Sequence, residues 1–71
     1  MVNNIMNIDL NTKYYYLFIR DGGQWSCDVG YFTKSEAVQD RYHETATRKA
    51  KDVKIITSTY GADPIELAKT L

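Results

Sequence analysis

The sequence predicts an α+β domain of order β-β-α-β with a short C-terminal helix. Its sheet has three strands, antiparallel or mixed, in the order 2-1-3, and one long helix lies on one face. Three observations support this fold: two aromatic-rich runs flank a Gly-Gly pair, a helix-capping motif follows, and a β-branched run comes after the helix. Residues 13–71 are expected to form one domain, with residues 1–12 loose or in a weak strand.

The first two strands are predicted to form a hairpin. Residues 13–20, KYYYLFIR, are rich in side chains that suit a pleated sheet, and residues 25–32 form a similar run. Between them, Gly22 and Gly23 tolerate the positive φ angles of a two-residue turn.

The long helix is predicted to run from residue 34 to about residue 51. It begins at the capping box TKSE, in which Thr33 caps the first turn and Glu36 reaches back. The side chains expected to face the sheet are Val38, Tyr42, Ala46 and Ala50.

The third strand is predicted over residues 52–60 and ends at Gly61. A second helix then begins, with Asp63 as N-cap and Pro64 at the first helical position. It is short, and its apolar residues are Ile65, Leu67, Ala68 and Leu71.

A two-residue turn sets the hairpin register. It pairs Arg20 with Trp25, Phe18 with Cys27, Tyr16 with Val29 and Tyr14 with Tyr31. This apolar face is expected to carry the long helix, although a three-residue turn would exchange the partners.

The first strand is apolar on its reverse face as well. Either the C-terminal helix covers that face or another molecule does. We take the second interpretation for the site, and the predicted partner-binding residues are Tyr15, Leu17, Ile19, Asp28, Ile56 and Tyr60.

Charge and cysteine content limit the function classes. Nine basic residues balance nine acidic ones, which is not typical of a duplex-binding protein. Cys27 is the single cysteine, so an internal disulfide is impossible. No signal peptide or membrane span is recognisable, and a cytoplasmic protein is expected.

No catalytic, metal or cofactor site is predicted. Cys27 lies in a strand and His43 on the polar side of the helix, so a nucleophile–base pair is not expected. Glu36, Asp40 and Glu44 indicate a solvated helix face. The chain is therefore interpreted as a non-enzymatic module.

Two kinds of partner remain. A protein, or a second copy of the chain, could pair with a strand edge or cover the apolar stripe. The alternative is single-stranded nucleic acid stacking on an aromatic sheet face. Protein binding is favoured, because the bases near residues 48–54 already complement the helix dipole.

The stretches YYYLFIRDGGQWSCDVGYF, TKSEAV and DVKIITS together resemble, in the order of their elements, small phage-encoded proteins that disable host machinery. The small RNA-polymerase inhibitor of T7-like phages is one example, and anti-defence proteins of phages are similar. The resemblance implies a short inhibitor or adaptor that occludes a larger host complex in the host cytoplasm.

Overall fold

The computed structural model describes residues 8–71 and contains the predicted three-stranded sheet, whose strand order is 2-1-3. Strand 1 pairs antiparallel with both neighbours. The elements are β1 (Lys13–Asp21), β2 (Gln24–Tyr31), α1 (Lys34–Glu44), a 3-10 turn (Ala50–Asp52), β3 (Val53–Thr59) and α2 (Pro64–Ala68). No helix in the described part is both long and apolar enough to cross a membrane.

The hairpin has the predicted two-residue turn, followed by a β-bulge. Gly22 and Gly23 have φ angles of 59° and 81°, which suit the mirror-image turn that matches strand twist. The pairs Arg20–Trp25 and Phe18–Cys27 form as predicted. Asp28 is then unpaired, and the register shifts by one residue.

The bulge makes the two remaining predicted pairs wrong. Leu17 lies opposite Val29 and Tyr15 opposite Tyr31. In the unbulged register the Leu17 face would oppose polar residues and glycine. The bulge instead brings two large apolar side chains to that face, which makes it the better helix-packing surface.

Helix α1 therefore packs on the face opposite to the one predicted. Tyr31 donates a hydrogen bond to Asp40 of α1 at 2.6 Å, and Tyr31 shares the Tyr15 face of the sheet. Ala37 is the fully buried residue of α1. The predicted helix stripe is also wrong, because Val38 and Tyr42 are exposed. The core is formed by Tyr16, Leu17, Phe18, Ile19, Ala37 and Val53.

Helix α1 is shorter than predicted. Its N-terminal cap forms, with Thr33 accepting from the Glu36 amide at 3.3 Å. The helix ends at Glu44 rather than near residue 51, and the hydroxyls of Thr45 and Thr47 donate to carbonyls three residues earlier. Such local bonds compete with helix continuation.

The C-terminal segment crosses the other face of the sheet. Buried Tyr16 donates its hydroxyl to the carbonyl of Thr59 at 2.6 Å, which fixes the turn after β3. Helix α2 then packs beside β2, with Asp63 capping its first turn. Each sheet face thus carries one helix, α1 on one side and α2 on the other.

The residues before β1 also contact this turn. The Tyr60 amide donates to Thr12 and the Gly61 amide donates to Leu10, both at 2.8–2.9 Å. The predicted loose segment or weak strand falls partly on residues 1–7, which lie outside the described residues. Residues 9–12 form a turn rather than a strand.

Candidate partner-binding surfaces

The predicted apolar stripe of β1 is not an open surface. Leu17 and Ile19 are buried and Tyr15 is half-buried, because α1 packs across them. The expectation that this face meets a partner is therefore wrong for Leu17 and Ile19. The physical reason is the bulge at Asp28, which moved the long helix onto this face.

The other three predicted partner-binding residues lie apart. Asp28 is exposed at the bulge, and Ile56 is half-buried on the α2 face beside Tyr16. Tyr60 is 39% exposed and follows the last residue of β3. The six predicted residues do not form one surface, and Tyr60 is the one that belongs to an exposed aromatic cluster.

That cluster, which we call the aromatic cap, consists of Tyr14, Phe32 and Tyr60, together with Leu10, which lies against Gly61 next to Tyr60. The Tyr14 ring lies edge-on to Phe32 and Tyr60, at centroid distances of 4.7 and 5.1 Å. Phe32 also contacts Tyr60 at 5.2 Å. Despite these contacts Phe32 is 42% exposed, and Leu10 is 62% exposed.

Gly30 makes room for the centre of the cap. It lies opposite Tyr16, on the same face as Tyr14. A methyl group at Gly30 would overlap the Tyr14 ring. The ring therefore covers the bare main chain of β2, and the absence of a side chain is a requirement of the cap.

The Tyr14 hydroxyl at the centre of the cap is uncharged near neutral pH. Burial raises the pKa of Tyr14 above its ordinary value, and the neighbouring Tyr60 adds to the shift. The pKa of Tyr16 beneath it is raised mainly by burial as well. Its members are aliphatic and aromatic, so the cap suits an apolar partner surface.

Basic side chains lie at the opposite end of the same sheet face. Trp25 lies under two cations, the Arg20 guanidinium at 5.0 Å and the Lys54 ammonium at 5.9 Å from the ring centroid. Arg20 is also paired with Asp52 at 2.8 Å. Arg48 is paired with Asp21 at 2.6 Å. Two of these three cations, Arg20 and Arg48, are thus paired with carboxylates.

The acidic face of α1 is partly structural. Tyr31 donates to Asp40, and this bond raises the pKa of Tyr31 to about 12. The Glu36 carboxylate accepts a hydrogen bond from the Thr33 hydroxyl at 2.7 Å. Within residues 8–71 no three acidic, histidine or cysteine side chains are grouped as metal ligands.

The single cysteine lies in a groove between β2 and α2. The groove has a volume of about 360 Å³ and is lined by Trp25, Ser26, Cys27, Pro64, Ile65 and Ala68. Burial raises the pKa of the Cys27 thiol, so it is mostly protonated at neutral pH. His43 lies on α1, across the sheet, so the two do not form a catalytic pair.

Sequence reasoning missed Leu10 and Phe32 as members of an exposed surface. A signal was present: in strand order 2-1-3 with antiparallel neighbours, the start of β1 and the ends of β2 and β3 meet at one end of the sheet. Tyr14, Phe32 and Tyr60 stand at those three positions.

Comparison with protein-family models finds no matching family, and comparisons with curated proteins and with solved structures find no significant match. The functional argument therefore rests on the geometry of the chain itself.

Proposed function

We propose that the protein is a small non-catalytic protein-binding module, an inhibitor or adaptor that occludes a surface of a larger protein. The observation that supports it is the aromatic cap. Phe32 and Tyr60 each leave more than a third of their surface exposed although both pack on Tyr14, and Leu10 beside Gly61 is 62% exposed. The phage-type role implied by the resemblance remains part of this proposal.

The geometry of the cap suits protein recognition. Aromatic side chains dominate the binding energy of many protein interfaces, particularly in the desolvated centre. The Phe32 and Tyr60 rings are already fixed by contacts with Tyr14, so little side-chain entropy is lost on binding. The complementary partner surface is an apolar pocket or groove in a protein.

Single-stranded nucleic acid is supported less well. A base-stacking surface needs cations beside the rings to follow the phosphates. The cap and the basic end are separated along β1 by six residues, from Tyr14 to Arg20, which is about 20 Å of strand. The rings of the cap and the cations of the basic end therefore do not form one continuous binding surface.

The experiment is affinity capture from a nuclease-treated lysate with tagged wild-type protein, Phe32→Ser and Ile65→Ser. Ile65 is the matched control, since it is 71% exposed but lies on α2 in the Trp25 groove. Phe32→Ser should weaken capture at least about tenfold, as expected for an interface anchor. Ile65→Ser should capture as the wild type does.

Near-ultraviolet circular dichroism would establish that both variants keep the folded core. Equal capture by folded Phe32→Ser and wild type would refute the cap as the binding surface. A parallel capture from untreated lysate that is lost after nuclease treatment would favour nucleic acid instead.

A further inference from the structure

The outer edge of β3 presents unpaired main-chain groups at Ile55 and Thr57. Antiparallel strands bond through alternate residues. The Tyr60 amide donates to Thr12, so the even-numbered residues of β3 bond to β1 and the odd-numbered ones face outward. Among residues 8–71, β3 pairs with β1 alone, and no loop or side-chain group is hydrogen-bonded to the main chain of Ile55 or Thr57.

Both ends of this edge are closed. The carbonyl of Val53 accepts from Arg41 Nε at 2.9 Å, and the carbonyl of Thr59 accepts from the Tyr16 hydroxyl. The open stretch is therefore short and lies centrally on either side of Ile56.

The two edge strands of the sheet differ in how well they are protected from pairing with another strand. On β2, the bulge at Asp28 interrupts the strand and α2 packs beside it. Such features block pairing with another strand. In β3 the described register is regular, the strand has no proline, and Lys54 is its one charged residue.

A second observation lies on α1 above this edge. Arg41 reaches the β3 side of the sheet, whereas Asp40 reaches β2. Val38 lies one turn before Arg41, on the β3 flank of the helix, whereas Tyr42 lies farther round, toward solvent. Val38 is 49% exposed, an apolar side chain beside an open strand edge.

We propose that β3 pairs antiparallel with β3 of a second copy, about a two-fold axis at Ile56. The two sheets then form one six-stranded sheet, and the two α1 helices lie side by side on the same face. Each Ile55 bonds to Thr57 of the second copy through both main-chain groups, and each Thr57 does the same with Ile55. The proposal is independent of the aromatic cap.

The side chains agree with this pairing. Ile56 meets Ile56 of the second copy on one face, while the exposed Val38 side chains face each other across the axis on the other. Lys54 lies opposite Ser58, and the two Lys54 residues are four positions apart, about 13 Å, beyond the screening length of about 8 Å at physiological salt. A second copy is therefore the occupant to which this edge is complementary.

The test is sedimentation equilibrium of the whole chain over roughly 10 μM to 1 mM, with wild type, Thr57→Pro and Ser26→Lys. Thr57→Pro removes an outward N–H without disturbing the bonds to β1. It should raise the dimer Kd at least about tenfold, because symmetry removes two hydrogen bonds together. Ser26→Lys, which alters the exposed surface of the β2 edge strand, should leave the Kd unchanged.

Val38→Ser gives a second variant that leaves the sheet untouched, and it should also weaken the dimer. A wild type that is monomeric at 1 mM would overturn the proposal, as would a dimer unchanged in Thr57→Pro. Amide exchange gives a further check: protection of Ile55 and Thr57 should increase with protein concentration. Protection already complete in the monomer would mean that the edge is covered within the chain, which also contradicts the proposal.

Discussion

Replacing Gly30 with alanine tests the aromatic cap at its tightest contact. The added methyl carbon would lie 2.6 Å from Cζ and 2.8 Å from Oη of Tyr14. Non-bonded carbons normally stay about 3.5 Å apart, so the ring has to move by about 1 Å. That displacement disturbs edge-on contacts with Tyr16, Phe32 and Tyr60, whose centroids are 4.7–5.1 Å away.

The expected loss of stability is about 2–4 kcal/mol. Overpacking costs about 1–3 kcal/mol, and each disturbed aromatic pair adds part of its about 0.5–1.5 kcal/mol. For a domain of this size, each kcal/mol lowers Tm by about 4–8 °C. A loss of 2 kcal/mol thus predicts a Tm at least about 8 °C below that of the wild type.

The assay is urea unfolding in a double-mutant cycle with Tyr14→Leu. Leucine lacks the ring atoms that the new methyl group would meet, so Gly30→Ala should cost at least about 1.5 kcal/mol less in that background. Equal costs in the two backgrounds, within about 0.5 kcal/mol, would refute the reasoning. The loss would then come from β2 itself and not from the cap.

Three other residues give predictions of the same kind. Tyr31 has its pKa raised from 10.0 to about 12, so its contribution to stability is complete below pH 10 and is lost as the pH rises through about 12. Asp40→Asn should lower that pKa in a tyrosinate absorbance titration, and an unchanged titration would contradict the hydrogen bond. Tyr16→Phe should cost about 1–3 kcal/mol in urea unfolding, because the Thr59 carbonyl at the end of β3 loses its buried donor. Arg41→Lys should cost about 1–2 kcal/mol in the same assay. Nε and Nη2 of Arg41 donate to two different carbonyls, and a single ammonium group cannot replace both bonds well. A loss below about 0.3 kcal/mol would show that these bonds do not stabilise the fold.

Local signals in the sequence were sufficient to predict the secondary-structure elements and their order. The Gly22–Gly23 turn and the Thr33 cap depend on a few neighbouring residues, and both form as predicted. The strand order followed from short connections and from the helix between the second and third strands.

The bulge at Asp28 could not be predicted in this way. The bulge decides on which face of the sheet Val29 and Tyr31 are buried. Predicting it requires the folding free energies of the two packed arrangements to be compared. Because the bulge decides the face for α1, one missed residue placed Leu17 and Ile19 on an open surface instead of in the core.

The exposed surface was missed for a related reason. Phe32 was assigned to the second strand, and its role in the cap depends on the register that brings it beside Tyr60. Helix α1 likewise ends at Glu44 because the chain has to return to β3. The periodicity of apolar residues does not contain this information.

Site-specific photo-crosslinking tests the proposed function most directly. A benzophenone amino acid at position 32 keeps the phenyl ring of Phe32 and extends it by a benzoyl group, and the same group at position 65 is the matched control on α2. If the cap binds a partner, position 32 should crosslink to a defined protein in nuclease-treated lysate, and position 65 should not. Crosslinking from position 65 but not from position 32 would contradict the assignment of the aromatic cap as the binding surface.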